Sequence, residues 1–368
     1  MTITPSPTPD SSCTWGEFCP ALIDLRIDSQ GNPPLDQMKR TAPSHHSRLR
    51  TGLLPAALLL ASPSSHAADR FWITPTGGSF TDPANWSTTS GGAAGATIPG
   101  AADVAIFDSN ATYRVFASVG LNATNTSLNL RSGTVTLDLN DIGTYTLTDS
   151  GAVTLDSDFI FREGNLEVDT NGDIISVGSS LRVTVNGHIG SGTFKPKMNV
   201  GDPGGASVTV DNNGRIDLVD LTLGHVSGWG GSMTLTGPLA ILTVDSSTGV
   251  GSSEDGTLQV LGGASLTAGT FFTVGGFEGV AGDVTVSGAG SEVIGSGNMD
   301  IGCQGTASLT IAAGGLVISG TDAKLGDLAS STGVALITGR AGMWGTSSTS
   351  VILGRGPLQS RMAERFRA

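Results

Sequence analysis

The residues with the most chemistry to offer are acidic. Glu254 and Asp255 are adjacent, and Glu278 falls at a nearly matching offset after the next repeated glycine, so the three carboxylates could line one edge. A glycosidase needs two facing carboxyl groups, one to give a proton and one to attack or to activate water. A calcium-dependent polysaccharide lyase needs an acidic cluster with a basic residue nearby. Glu254, Asp255 and Glu278 are therefore the catalytic candidates. Together with Asp245, Asp283, Glu292, Asp300, Asp322 and Asp327 they recur at no single coil phase, and all nine acids also read as solvated turn residues. Glu167, Asp169, Asn171 and Asp173 surround Gly172. Oxygen ligands at alternate positions suit calcium, which makes Asp169, Asn171 and Asp173 the metal candidates and calcium the one cofactor to consider. Asx and glycine chemistry for a tight turn explains the same letters. Trp72 and Trp86 are the candidates for stacking on a sugar. His188 and His225 stand apart, with no metal-ligand spacing and no nucleophile motif beside them. The glycine-rich strings lack the Lys-Ser/Thr of a phosphate-binding loop.

These residues hang on a repeat. An aliphatic residue followed by glycine recurs at Gly201, Gly224, Gly251, Gly275, Gly302, Gly326 and Gly354, and shorter and longer intervals alternate between them. A second anchor, at Val210, Leu235, Val260, Val286, Ile311 and Ile337, follows those glycines at a shorter and a longer offset in strict alternation. In the long units a third apolar position comes at a fixed distance beyond, at Leu242, Val293 and Trp344, while the short units turn on Asn213-Gly214, Gly262-Gly263 and Gly314-Gly315. About three short strands per unit of about 25 residues suit one coil of a parallel β-helix, whereas a propeller blade needs about 40 to 45. Two coils pair as one sequence repeat of about 51 residues, and stacked coils share their core. A propeller is the runner-up.

The string Val284 to Val293 (VTVSGAGSEV), the string Leu309 to Gly315 (LTIAAGG) and the aliphatic-glycine steps resemble the repeat of type V secretion (autotransporter) passengers and PEP-CTERM-associated surface proteins. In that family a Gly-Ala-Gly-Ser turn is often followed by tryptophan. Val293 stands in its place here, while Trp344 keeps it behind the altered turn Gly339-Arg340-Ala341-Gly342. The resemblance covers the regular repeats, residues 198–354. It implies an exported surface protein of a Gram-negative bacterium and no known reaction.

Ahead of the repeats, Met38-Lys39-Arg40 opens a basic segment, Leu53 to Ala61 is apolar, and Ser65-His66-Ala67 is a small-residue cleavage site. That is the pattern of a secretory signal peptide over 38–67, cut before Ala68. Residues 1–37 carry no targeting or core pattern, so Met38 is the expected start and 1–37 a non-native or disordered leader. Residues 68–112 hold Trp72, Phe80, Trp86 and Phe107 and read as an amino-terminal aromatic cap. Strands with period two but looser phase fill 113–197. The tail 355–368 carries Arg355, Arg361, Arg365 and Arg367, with Leu358, Met362 and Phe366 on one helical face, and reads as a capping helix or a truncated end. No run after Ala61 is long enough for a membrane helix. Cys303 reads as a small half-buried turn residue, with an intermolecular disulfide as its alternative.

The net charge of −13 excludes the basic footprint of a nucleic-acid binder. The sequence thus predicts an all-β, right-handed parallel β-helix (solenoid) of about 25-residue coils. Its expected role is that of an exported, non-catalytic structural or adhesin-like protein presenting polar faces to glycans or extracellular matrix. The alternative is a carbohydrate-active enzyme, a polysaccharide lyase or hydrolase, on the same scaffold.

Overall fold

The computed structural model describes residues 68–117, 122–140, 143–148, 153–168, 174–201, 205–338, 343–346 and 351–353. The leader 1–37, the signal segment 38–67, Gly354 and the basic tail lie outside them.

Alternation of apolar and polar residues turns one side of each strand inward. In Thr112–Phe116 the buried residues are Tyr113 and Val115. Stacked on them in parallel register are Val135 and Leu137, Phe159 and Phe161, then Leu181 and Val183. The same two columns continue through Val208 and Val210, Met233 and Leu235, Leu258 and Val260, Val284 and Val286, and Leu309 and Ile311 to Ala335 and Ile337. From Tyr113 to Ala335 the chain climbs coil by coil, each step taking about 25 residues and returning it to the same face. The fold is a parallel β-solenoid. A propeller would pair neighbouring strands antiparallel within blades, and here the one antiparallel pairing among the described strands is that of Trp72 with Trp86 and Phe71 with Ser87.

The strands make three faces. Face 1 carries the columns just described. Face 2 stacks Ile216, Leu242, Leu266, Val293 and Val317. Face 3 stacks Val200, Leu223, Val250, Val274, Ile301 and Leu325, the aliphatic residues of the aliphatic-glycine step. Every coil therefore contributes inward aliphatic side chains from three directions to one continuous core, each worth about 1.5–3 kcal/mol when fully buried. The looser phase of 113–197 has a structural cause. Asp158–Val168 and Ser180–Ile189 each run from face 1 to face 2 as one strand, bent at the positive-φ residues Glu163 and Gly164, and Val185 and Asn186.

The aromatic segment forms the first, incomplete coil. Asp69–Trp72 pairs in parallel with Val104–Phe107 on face 3, and Gly78–Ser79 pairs with Val115 and Phe116 on face 1. Trp72, Phe80, Trp86 and Phe107 fill its interior, with Trp86 edge-on to Trp72 at 5.2 Å and to Phe80 at 5.1 Å between ring centroids. The indole N–H groups donate to Thr74 O at 2.7 Å and to Phe80 O at 2.8 Å, so the rings are buried without stranded donors.

Several inward positions are polar, among them Asn125, which accepts from Tyr145 Oη, and Ser319; one of them has no partner. Thr248 sits between Leu221 and Phe272 on face 3, fully buried, and its hydroxyl has no hydrogen-bond partner. Removing an unsatisfied buried hydroxyl at nearly constant shape relieves its desolvation cost. Thr248→Val is expected to stabilise the protein by about 1 kcal/mol, read as a higher urea midpoint; a lower midpoint would show that the hydroxyl is satisfied in solution.

Candidate functional site

The alternation of short and long offsets is produced at one place, the arch that carries the chain from face 3 back to face 1. Each arch starts at the glycine of the aliphatic-glycine step. A long arch runs from Gly224 to Gly231, from Gly275 to Gly282 and from Gly326 to Gly333, and a short one from Gly251 to Gly256 and from Gly302 to Ala307. The additional length of each long arch sits in a tight turn. Its closing backbone bonds are Trp229 N to Val226 O at 3.1 Å, Val280 N to Phe277 O at 3.3 Å and Ser331 N to Leu328 O at 3.1 Å. Gly228 and Gly279 take positive φ at the third position of the first two turns, as a type II turn requires. In the third, the Ser331 hydroxyl donates to Leu328 O at 2.9 Å and accepts from Leu328 N at 3.0 Å.

The catalytic candidates belong to these arches, and two of them bind backbone of the neighbouring arches. Glu254 Oε2 accepts the Gly228 N–H at 2.8 Å, and Asp255 Oδ1 accepts the Ala281 N–H at 2.8 Å. The short arch 251–256 thus grips the long arch before it with one carboxylate and the long arch after it with the other. Carboxylates accepting backbone N–H groups are charge-assisted and relatively strong, and here they fix loop positions. Glu278 lies exposed on the second long turn, and no hydrogen bond or ion pair joins it to Glu254 or Asp255 among the described residues. Acid-base hydrolysis would need two of the three to face one another across the scissile bond.

A denser charged group lies on face 2, where the separate reading of each histidine misses it. His188 stacks over Arg215, and both reach Asp217: His188 Nε2 is 2.8 Å and Arg215 Nε 3.0 Å from Asp217 Oδ2. Burial works to raise the Asp217 carboxyl, but hydrogen bonds from His188, Arg215 and Thr243 outweigh it and hold the group down at about 2. The signal in the sequence is slight: Arg215 and Asp217 alternate on one strand, and only the register places His188 one coil away. The network ties three successive coils through one carboxylate. Lys195 Nζ lies 2.8 Å from Asp245 Oδ1 in a further pair.

Asp300 is the opposite case. It faces outward on face 3 between Thr273 and Lys324, yet it is 7% exposed and its Oδ1 has no hydrogen-bond partner. Burial pushes its carboxyl up to about 6, against the pull of Lys324 and with added repulsion from Asp327 and Asp322. A folded pKa above the unfolded one means that this group's contribution to stability is complete below the unfolded value of about 3.9 and is lost as pH rises through 6. Asp300→Asn is expected to match the wild type in melting temperature near pH ~4 and to exceed it near pH ~8. Equal melting temperatures at both ends would contradict the assignment.

The other expected sites fare unequally. Trp72 and Trp86 are 1% and 0% exposed. Their rings close the interior of the first coil, so neither offers a face to a sugar, and the capping reading replaces the stacking one. Asp169, Asn171 and Asp173 lie outside the described residues. Among the described residues no group of three or more His, Cys, Asp or Glu side chains is placed to share a metal ion. His225 is half-buried at the start of a long arch. Cys303, expected to be a half-buried turn residue, is buried on a short arch. No helix among the described residues is long and apolar enough to cross a membrane. Comparison with protein-family models, with curated proteins and with solved structures finds no match.

Proposed function

We propose that the protein is an exported, non-catalytic structural protein that displays its solenoid surface to glycans or extracellular matrix. The observation that carries this reading is the outer side of face 1. Ser207, Ser232 and Thr257 form one outward column, and Thr209, Thr234, Gln259, Thr285 and Thr310 form the next. Coils spaced about 4.8 Å apart, with outward residues about 6.7 Å apart along each strand, make a flat lattice of hydroxyl and amide groups. Many weak hydrogen bonds to an extended partner then add through avidity, with no pocket required. Export is supported by the basic, apolar and small-residue sequence ending at Ala67, and by the likeness of the repeats to autotransporter passengers and PEP-CTERM-associated proteins.

Two measurements test it. Amino-terminal sequencing of protein recovered outside the cytoplasm should begin at Ala68; a chain retained inside with residues 38–67 attached would contradict export. Retention of the purified protein on immobilised surface polysaccharides and matrix proteins tests display, and retention on none of them would sink it. The carbohydrate-active enzyme is the rival. It requires turnover that Glu254→Gln, Asp255→Asn or Glu278→Gln abolishes, whereas clamps formed by Glu254 and Asp255 affect only the order of the arches.

A further inference from the structure

The long arches carry a feature that the hydroxyl face does not explain. Phe277 and Leu328 occupy the same first position of successive long turns, and they are 45% and 42% exposed. In the preceding long turn that position is Val226, and the fourth residue, Trp229, is 42% exposed. A large apolar side chain in water at each of three equivalent arches is not scattered surface hydrophobicity, because the arches recur every second coil. With coils about 4.8 Å apart, Phe277 and Leu328, at the same turn position, recur about 9.6 Å apart along the solenoid axis, and Trp229 adds an exposed ring to this ridge from the fourth position of the preceding long turn. The intervening short arches present polar groups instead, among them exposed Ser253 and half-buried Gln304. The Glu254 and Asp255 clamps hold the first two long arches in place.

We propose that this ridge is the glycan-contacting site, and that its occupant is a neutral, extended polysaccharide lying parallel to the solenoid axis. The inference rests on the display reading above and changes which surface makes the contact. An extended β-1,4-linked chain turns successive sugars over, so every second ring presents the same apolar face at a spacing close to two coils. Trp229 and Phe277 would stack on alternate rings, and Leu328 would cover the next. Ser253 and Gln304 would meet the hydroxyls of the sugars between. Charge decides between neutral and acidic polymers. Net charge is −13, Glu278 is exposed on the ridge itself, and Asp255 is exposed beside it, so a polyanion would be repelled.

The test uses the full chain and its variants W229A, F277A, the double variant and F271A in co-sedimentation with cellulose, chitin and insoluble polygalacturonate. Phe271 is equally exposed but lies on face 3, away from the arches. Binding to cellulose or chitin should fall about tenfold in each single ridge variant and vanish in the double, with F271A unchanged. Unaltered melting curves would confirm that the ridge variants remain folded. Wild-type binding to these polymers that survives both ridge substitutions would overturn the ridge and leave the display reading standing. Preference for polygalacturonate would overturn the neutral ligand. Absence of binding to all three polymers would overturn the ridge proposal, while retention on matrix proteins would leave the display reading standing. A ridge substitution that alters only sedimentation velocity would assign the surface to a second copy of the chain and overturn the proposal.

Discussion

Gly224→Ala should cost about 2–5 kcal/mol and open the solenoid locally. Gly224 ends a face 3 strand with φ +71°, and a Cβ there would collide with Glu254 O and come within 2.7 Å of Asp255 O. Two penalties combine. The left-handed conformation costs a side-chain-bearing residue about 1–2 kcal/mol. Overpacking costs a further ~1–3 kcal/mol, because the obstructing atoms are backbone of the next coil and cannot rotate away. Relief requires Gly224 and the arch 251–256 to separate, which breaks the coil-to-coil contact on which a stacked repeat depends. Gly279→Ala separates the two terms. It has a similar φ of +81° but no atom within 4 Å of the added carbon, so only the conformational cost of ~1–2 kcal/mol applies. Urea unfolding of both variants is the measurement. Equal losses would show that close approach of the coils plays no part at the repeated glycine.

Trp86→Ala should cost about 3–5 kcal/mol, the range for deleting a large buried aromatic. The Trp86 side chain is fully buried, contacts Trp72, Phe80 and Phe107 ring to ring, and gives its indole N–H to Phe80 O. The position of the loss is as informative as its size. In a one-dimensional stack each coil is stabilised by its neighbours, so an opened end should fray inward. Amide exchange should accelerate first in Val104–Phe107 and Thr112–Phe116 and remain slow in Thr306–Ala312. Uniform acceleration along the chain, or a loss below ~1 kcal/mol, would mean that the aromatic segment does not act as a cap.

The repeat is legible in the sequence because its constraints are local and recur. Val210, Leu235, Val260, Val286, Ile311 and Ile337 read directly as one column, since an inward position on a solenoid is apolar in coil after coil. The alternation of short and long offsets is equally visible, but its meaning is not. Only the fold shows that the additional residues enter the arch and expose Phe277 and Leu328. The charged network at Asp217 is hidden for a related reason. His188 and Asp217 lie on different coils, and their meeting depends on the register between them. Trp72 and Trp86 belong to the cap, and no pattern of letters could distinguish that from an open sugar platform without the burial of their rings. The acids at Glu254 and Asp255 suggest chemistry because carboxylates do so by type; their use as acceptors for Gly228 and Ala281 N–H groups is set by the arches on either side.

The most direct test of the central claim measures binding and turnover in one experiment. The purified protein is incubated with an insoluble neutral polysaccharide, the pelleted protein is quantified, and the supernatant is assayed for new reducing ends and unsaturated sugars. A display protein should accumulate on the polymer in proportion to its surface and release no fragments over prolonged incubation, with or without calcium. Release of fragments, abolished by Glu254→Gln, Asp255→Asn or Glu278→Gln, would identify a carbohydrate-active enzyme and contradict the account.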